Sequence, residues 1–133
     1  MAKQIQLKDK DGLVYPITLE KIDTNIEYVT GELFNGKKVY RQRKQLSALP
    51  NSGRTDYPHN ISGITQVIKM EGQYSSPNIA ASYPINYAVP TGGSSDNAES
   101  IATNMNATVI SVKTGNDRSN LTINFVDIYY LKD

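Results

Sequence analysis

Between Gly36 and Met70 the sequence alternates between strand-like and loop-like character. The segment GKKVYRQRKQLSAL opens on a glycine turn signal and continues as a basic, alternating stretch over Val39–Leu46. A polar loop with two prolines follows over Pro50–Ile61, and Ile64–Met70 then alternates again. Short alternating runs bounded by glycine and proline are typical of antiparallel strands. This order predicts an all-β module.

Two further hairpins are predicted towards the ends of the chain. Gln4–Lys8 and Leu13–Thr18 flank the turn DKDG at Asp9–Gly12, whose Asp-Gly pair favours a tight hairpin. Ala107–Thr114 and Leu121–Leu131 flank the segment GNDRSN in the same way. Counting every run gives about seven or eight short strands, which predicts an antiparallel β-sandwich or a jelly roll.

Two patterns depart from plain alternation. In the last strand the apolar phase shifts by one residue after Phe125, which predicts a bulge or a switch of the buried face. A helix-like spacing of three, four and three also occurs in the N-terminal third, and it predicts a short helix or a linker. Its members are Leu19, Ile22, Ile26 and Val29.

These patterns divide the chain into two predicted parts. The first is an N-terminal hairpin and linker over residues 1–35, for anchoring or oligomer packing, and the second is a C-terminal sandwich over residues 36–133.

Composition limits the function classes. A chain of 133 residues is long enough for one domain with a real core. The net charge of +1 gives no reason to expect nucleic acid or an anionic membrane as partner. No apolar stretch approaches the roughly 20 residues of a membrane span, and no signal peptide is visible, so we expect a soluble protein made in the cytosol.

Catalytic and metal-binding patterns are weak. His59 is the only histidine, cysteine is absent, and no G-x-S-x-G segment surrounds a serine. One histidine without cysteine cannot supply the usual zinc ligands, so neither a metal nor another cofactor is expected. The expected protein is not an enzyme. The alternative that stays open is a hydrolase of envelope polysaccharide that uses Asp56 and His59, or Asp96.

A cluster of basic residues lies on and beside the strand Val39–Leu46. Its members are Lys37, Lys38, Arg41, Arg43 and Lys44. Alternation places Arg41 and Arg43 on one face and Tyr40 on the other. This cluster is interpreted as a solvated outer face or a guarded edge strand. The alternative is a site for an anionic partner, such as a polyphosphate polymer or an acidic neighbouring subunit.

Sugar recognition is the binding function that the loops favour. It needs tyrosine rings that stack on a sugar, together with amide, carboxylate and guanidinium groups that bind its hydroxyls. The candidate residues are Tyr57, His59, Tyr83, Tyr87, Asn116, Asp117 and Arg118.

Several segments resemble those of bacteriophage tail and fibre proteins. The opening MAKQIQLKDKDGLVYPIT is similar to the start of many of them, and TGELFNGKKVYRQRKQLSALPN resembles a recurring strand–turn–strand segment of that family. The matching positions are Thr30, Gly31, Phe34, Gly36, Lys37, Val39, Tyr40 and Arg41. The segment LPNSGRTDYPHNISGITQVIKMEG and the final IYYLKD are also similar to segments of that family.

The resemblance implies a structural protein of a phage or prophage virion: a tail-tip, fibre or head-fibre module assembled in the host cytoplasm. It further implies a homotrimer that contacts other virion proteins and binds bacterial cell-wall polysaccharide or teichoic acid. A purely structural decoration or spacer protein is a further alternative.

Overall fold

The computed structural model describes the strand backbones of residues 3–8 and 14–19 and all of residues 23–78, 81–87 and 100–133. Ten strands and no helix occur in these ranges, which confirms the predicted all-β class. The strands are β1 Lys3–Lys8, β2 Val14–Leu19, β3 Tyr28–Phe34, β4 Lys37–Leu46, β5 Arg54–Pro58, β6 Ile64–Ser75, β7 Ser82–Pro84, β8 Ile101–Met105, β9 Val109–Thr114 and β10 Ile123–Lys132. The predicted turn at Asp9–Gly12 and the alternative catalytic residue Asp96 lie outside the described residues.

The strands form three antiparallel sheets. β1 pairs with β2 in a two-stranded sheet, as the N-terminal hairpin pattern predicts. The order β3-β4-β10-β6-β7 makes a five-stranded sheet, and the order β5-β9-β8 makes a three-stranded sheet. β10 is the centre of the larger sheet, with β4 on one side and β6 on the other. The two larger sheets are arranged as a β-sandwich.

Apolar side chains on the inward faces of the strands form the core between the two larger sheets. β9 buries Ile110 and Val112 and leaves Lys113 exposed, and β10 buries Val126 and Ile128. Burial of such side chains stabilises the fold by about 25 cal/mol per Å² of apolar surface. The other buried members of the core are Leu46, Leu49, Tyr57, Ile61, Tyr74, Ile85, Ile101, Leu121 and Tyr130.

Gly72 allows a close contact inside this core. It lies opposite Val126 in the register of β6 and β10. A Cβ atom added at Gly72 would overlap the carbonyl oxygen of Phe125 and would lie 3.1 Å from Cγ2 of Ile85. Glycine without a side chain therefore lets backbone and core approach each other here.

The helical alternative for Leu19–Val29 is wrong where the structure describes these residues. Leu19 ends β2, and Val29 lies in β3. Between them the Asn25 N–H donates a hydrogen bond to the Arg43 carbonyl at 2.9 Å, so this segment follows the edge of β4. Pairing with a neighbouring strand overrides the local spacing. β3, which the sequence placed in the linker of residues 1–35, is a strand of the five-stranded sheet.

The bulge predicted after Phe125 lies elsewhere. Phe125 and Val126 pair in unbroken register with β6, and the register shifts come later, at Tyr129/Tyr130 and Leu131/Lys132. The apolar phase changes because Phe125 is on the outer face of the sheet. There the Arg43 guanidinium lies 4.4 Å from the centre of its ring.

Candidate functional site

Three strands (β4, β6 and β9) finish and four (β5, β7, β8 and β10) begin at one end of the sandwich, which we call the 115–121 end. Residues 47–53 and 115–121 lie there, and backbone hydrogen bonds join them. The Leu49 N–H donates to the Leu121 carbonyl at 3.3 Å, and the Arg118 N–H donates to the Pro50 carbonyl at 3.0 Å. The opposite end, which we call the 59–63 end, carries residues 59–63 and the β8–β9 turn.

Three of the predicted sugar-binding residues meet at the 115–121 end. The ring centres of Tyr83 and Tyr87 are 5.0 Å apart, with an angle of 58° between the ring planes. The guanidinium carbon of Arg118 lies 4.6 Å from the centre of the Tyr83 ring. All three side chains are half-buried. We call them the Tyr-Arg cluster; packing among its members fixes their orientation and leaves part of each in solvent.

Asn116 and Asp117 belong to the same turn as Arg118. The Asn116 carbonyl accepts a hydrogen bond from the Ser52 N–H at 3.0 Å. The Ser119 hydroxyl and N–H donate to Asp117 Oδ1 at 2.6 and 2.9 Å, and these hydrogen bonds hold the pKa of Asp117 below its usual range. Both residues are exposed. The turn therefore presents an amide and an ionised carboxylate beside the Tyr-Arg cluster.

A groove of about 400 Å³ opens at the same end of the sandwich. It is lined by Ser100, Ala102, Lys113, Thr114 and Gly115. The Gly115 N–H donates to the Ser100 carbonyl at 3.1 Å, and Tyr87 forms a β-bridge with Ile101. The groove and the Tyr-Arg cluster are thus connected through one stretch of backbone. Aromatic faces, a cation and several hydrogen-bonding groups are the combination that recognises a sugar ring.

The groove at the 59–63 end has a different chemistry. It measures about 410 Å³ and is lined by residues 61–67 and 105–107. Within this described lining there is neither an aromatic nor a charged side chain. It therefore offers no surface for ring stacking, and we assign the candidate site to the 115–121 end.

His59 lines a second groove at the 59–63 end, but both nitrogens of its ring form hydrogen bonds with the backbone. The side chain is buried, Nδ1 accepts a hydrogen bond from the Ile61 N–H at 3.0 Å, and Nε2 lies 3.0 Å from the Asn106 carbonyl oxygen. Because Nδ1 is an acceptor, the proton of the neutral ring is on Nε2 and is donated to Asn106. His59 joins the 59–63 loop to the β8–β9 turn.

Replacing His59 with alanine is expected to destabilise the protein by about 1–2 kcal/mol, because the buried N–H of Ile61 and the partly buried carbonyl of Asn106 lose their partner. Urea unfolding followed by circular dichroism measures this loss. Lys113→Ala, an exposed position on β9, is the control and should change the unfolding free energy by less than about 0.5 kcal/mol. Unchanged stability in His59→Ala would contradict the anchoring role.

Tyr57 does not join the Tyr-Arg cluster either. It is buried in the core, and its hydroxyl donates to the Ala48 carbonyl at 2.8 Å. Asp56, on the outer face of β5, accepts hydrogen bonds from Arg54 Nε at 2.8 Å and from Ser111 Oγ at 2.7 Å. Asp56 and His59 are therefore held by separate partners.

A buried carboxylate, which the sequence does not reveal, pairs with two arginines on the basic face of β4. Asp127 of β10 accepts hydrogen bonds from Arg41 at 2.6 Å and from Arg43 at 2.7 and 2.9 Å. Burial by itself would raise the pKa of Asp127, but the bonds from Arg43 and Arg41 outweigh it and hold that pKa below its usual range. Both guanidinium groups of this face are therefore bound to one carboxylate, and the three groups together keep one net positive charge. The register between β4 and β10 brings Asp127 beside Arg41 and Arg43, and the sequence does not reveal that register.

Metal-binding groups of three or more His, Asp or Glu residues are absent from the described residues. The described residues also form no helix that could cross a lipid bilayer.

Comparison with known protein families, with characterised proteins and with solved structures gives no match to this chain.

Proposed function

We propose that this chain is a non-enzymatic structural module of a phage or prophage virion, of the tail-tip or fibre kind, that contributes to attachment to carbohydrate on the host surface. The observation that carries the binding part is the Tyr-Arg cluster at the 115–121 end. The virion part depends on the sequence resemblance of the strand–turn–strand segments.

The geometry of the cluster favours a polymer with hydroxyl or phosphate groups. A sugar ring can stack on the free part of the Tyr87 ring, while Arg118 and Asn116 supply donors for its oxygens. Lys113 in the adjoining groove adds a second cation. This set fits a cell-wall polysaccharide or a teichoic acid, whose repeating units present rings and acidic groups in turn.

The separate partners of Asp56 and His59 support a binding role over hydrolysis. General acid–base catalysis needs a titratable group that can reach substrate and exchange a proton with it. Both ring nitrogens of His59 are bound to the backbone, and Asp56 is bound to Arg54 and Ser111. Weak contacts of this kind gain strength when several copies, such as those of the expected homotrimer, act on one particle.

Replacing Tyr87 or Arg118 with alanine is expected to weaken binding of soluble wall polysaccharide or teichoic acid about tenfold, since a stacking or cation contact is worth about 1–1.5 kcal/mol. Isothermal titration calorimetry on polymers purified from a panel of bacteria measures the affinity. The control is Tyr129→Ala, which removes a half-buried tyrosine from the outer face of the five-stranded sheet and should leave binding unchanged.

Three outcomes would contradict the proposal. New reducing ends after incubation with polymer, lost in His59→Ala, would indicate a hydrolase. Binding that Tyr87→Ala and Arg118→Ala leave intact would place the site elsewhere. Absence of binding to every polymer in the panel would favour a decoration or spacer protein.

A further inference from the structure

One edge of β6 is paired over only a small part of its length. On its other edge β6 pairs with β10 from Ile64 to Ser75, whereas β7 pairs only with residues 73–75. None of the described residues forms a backbone pair with the β7 side of β6 over residues 64–72, which we call the open edge. Every second residue of a strand directs its backbone N–H and C=O to the same side. The open edge therefore presents a row of unpaired hydrogen-bonding groups.

The side of the sandwich between β6 and β8 is closed at one half only. The two strands face each other across the core, where the Tyr74 and Thr103 hydroxyl oxygens are 2.7 Å apart. Residues 85–87 follow the first half of β8, since Tyr87 and Ile101 exchange two backbone hydrogen bonds of 2.9 Å and the Thr103 hydroxyl donates to the Ile85 carbonyl at 2.6 Å. Among the described residues this cover ends at Thr103. The second half of β8 and the open edge of β6 therefore flank an opening between the sheets.

The groove of about 410 Å³ at the 59–63 end lies in this opening. It is lined by the first residues of β6 and by residues 105–107 at the end of β8, so both sheets contribute to it. Its lining has no charged side chain, and three of its apolar members are half-buried and pack on the core. These three are Ile64, Val67 and Met105. An occupant of this opening must offer backbone hydrogen bonds to the strand and uncharged, apolar side chains to the groove.

We propose that the open edge binds an extended segment of another protein, which adds to the five-stranded sheet as a further strand beside β6. In this mode of recognition main-chain hydrogen bonds supply affinity, and pockets for alternate side chains supply specificity. The chain's own β7 is antiparallel to β6 and fills residues 73–75 of the same edge, so the added strand would continue the row that β7 begins. The partner segment carries apolar side chains at alternate positions. This inference goes beyond the proposed attachment function and uses no member of the Tyr-Arg cluster.

The open edge also has features that limit pairing with unsuitable strands. Thr65 and Ile68 have no residue opposite them in β10, where the register shifts, so each is a bulge. Lys69, which follows the second bulge, is exposed. Bulges and lysine side chains are devices that discourage indiscriminate pairing at a sheet edge. We therefore expect the open edge to accept a segment that matches its bent shape and to resist general aggregation.

Hydrogen exchange of the full chain, measured by NMR, tests the open edge. The probe is a synthetic peptide as long as the open edge, with valine alternating with threonine and a lysine at each end for solubility. The amide hydrogens of residues 64–72 that face away from β10 should exchange fast in the free protein and at least about tenfold more slowly with excess peptide. A control peptide with proline in place of each threonine should give no protection, because proline cannot donate to a ladder.

A substitution in the groove tests where the side chains of the peptide lie. Ala107 is exposed and lines the groove, so Ala107→Trp fills the groove without changing the core. We expect it to raise the dissociation constant of the fluorescently labelled peptide at least about tenfold, measured by anisotropy. Gln45→Trp, at an exposed position on the outer face of β4, is the matched control and should leave the affinity unchanged. Thermal unfolding of each variant checks that the sandwich is intact.

Three results would overturn the inference. Slow exchange of the open edge without peptide would mean that this chain or a second copy already covers it. Absence of protection by the alternating peptide, or equal binding of the proline peptide, would exclude addition of a strand. None of these results bears on polymer binding by Tyr87 and Arg118, which is measured separately.

Discussion

Replacing Gly72 with alanine is expected to remove about 3 kcal/mol or more of folding free energy, or to prevent folding. The new Cβ would overlap the backbone carbonyl of Phe125 and crowd Ile85, and neither the central strand nor the core can move away cheaply. Inserting an atom into a closely packed core costs about 1–3 kcal/mol, and a clash with backbone lies at the upper end. Urea unfolding measures the loss.

Gly53→Ala is the matched control for this substitution. A Cβ at Gly53 meets only the Asn51 carbonyl oxygen, at 3.7 Å, which is an ordinary contact. We expect its unfolding free energy to stay within about 0.5 kcal/mol of the wild type. Equal stability of the two variants would refute the close approach of β6 to β10 at Gly72.

Replacing Asp127 is expected to have the second largest effect. Asp127→Ala should cost about 2 kcal/mol, because Arg41 and Arg43 then keep their charges without a partner. Breaking a fully buried pair costs about 3–5 kcal/mol, and the arginine side chains, which are 22 and 28% exposed, recover part of this through water.

The same carboxylate gives the protein a defined acid sensitivity. The pKa of Asp127 is lower in the folded state than in the unfolded chain. Its contribution to stability is therefore complete above about pH 4, the unfolded value, and is lost as the pH falls through the folded pKa. Asp127→Asn should abolish that part of the acid-induced loss, measured as unfolding free energy between pH 2 and 5.

Glu71→Gln is the control for the acid titration. Glu71 pairs with Lys69 at 3.0 Å, and both side chains are about half exposed. An exposed pair contributes about 0–1 kcal/mol, so this variant should follow the wild-type pH profile. An Asp127→Asn variant with an unchanged profile would contradict the role of the arginine–aspartate contact.

Local patterns predicted the fold class but not every strand. The alternating stretches at Val39–Leu46 and Ile64–Met70 are strands because each places apolar side chains on one face of a sheet. β3 was not recognised, since its residues are mostly exposed and the glycine at its centre, Gly31, has a positive φ of 84°. Only pairing with β4 makes this segment a strand.

The sequence suggested candidate residues for the site but not which of them lie together. Tyr83 and Arg118 are 35 positions apart in the sequence, and composition made both candidates for sugar binding without showing that they touch. Composition could not distinguish Tyr83 and Arg118 from the buried residues Tyr57 and His59. The sequence does not show whether a strand or loop directs a given side chain into the core or towards solvent. Burial is decided by register and packing, which are long-range properties.

The most direct test of the attachment site is to map polymer binding on the isotopically labelled protein by NMR. Titration with soluble wall polysaccharide or teichoic acid should shift the amide signals of residues 83–87 and 113–119 and leave those of residues 59–63 and 105–108 in place. Shifts confined to residues 59–63 and 105–108, or no shifts with any polymer, would contradict an attachment site at the 115–121 end.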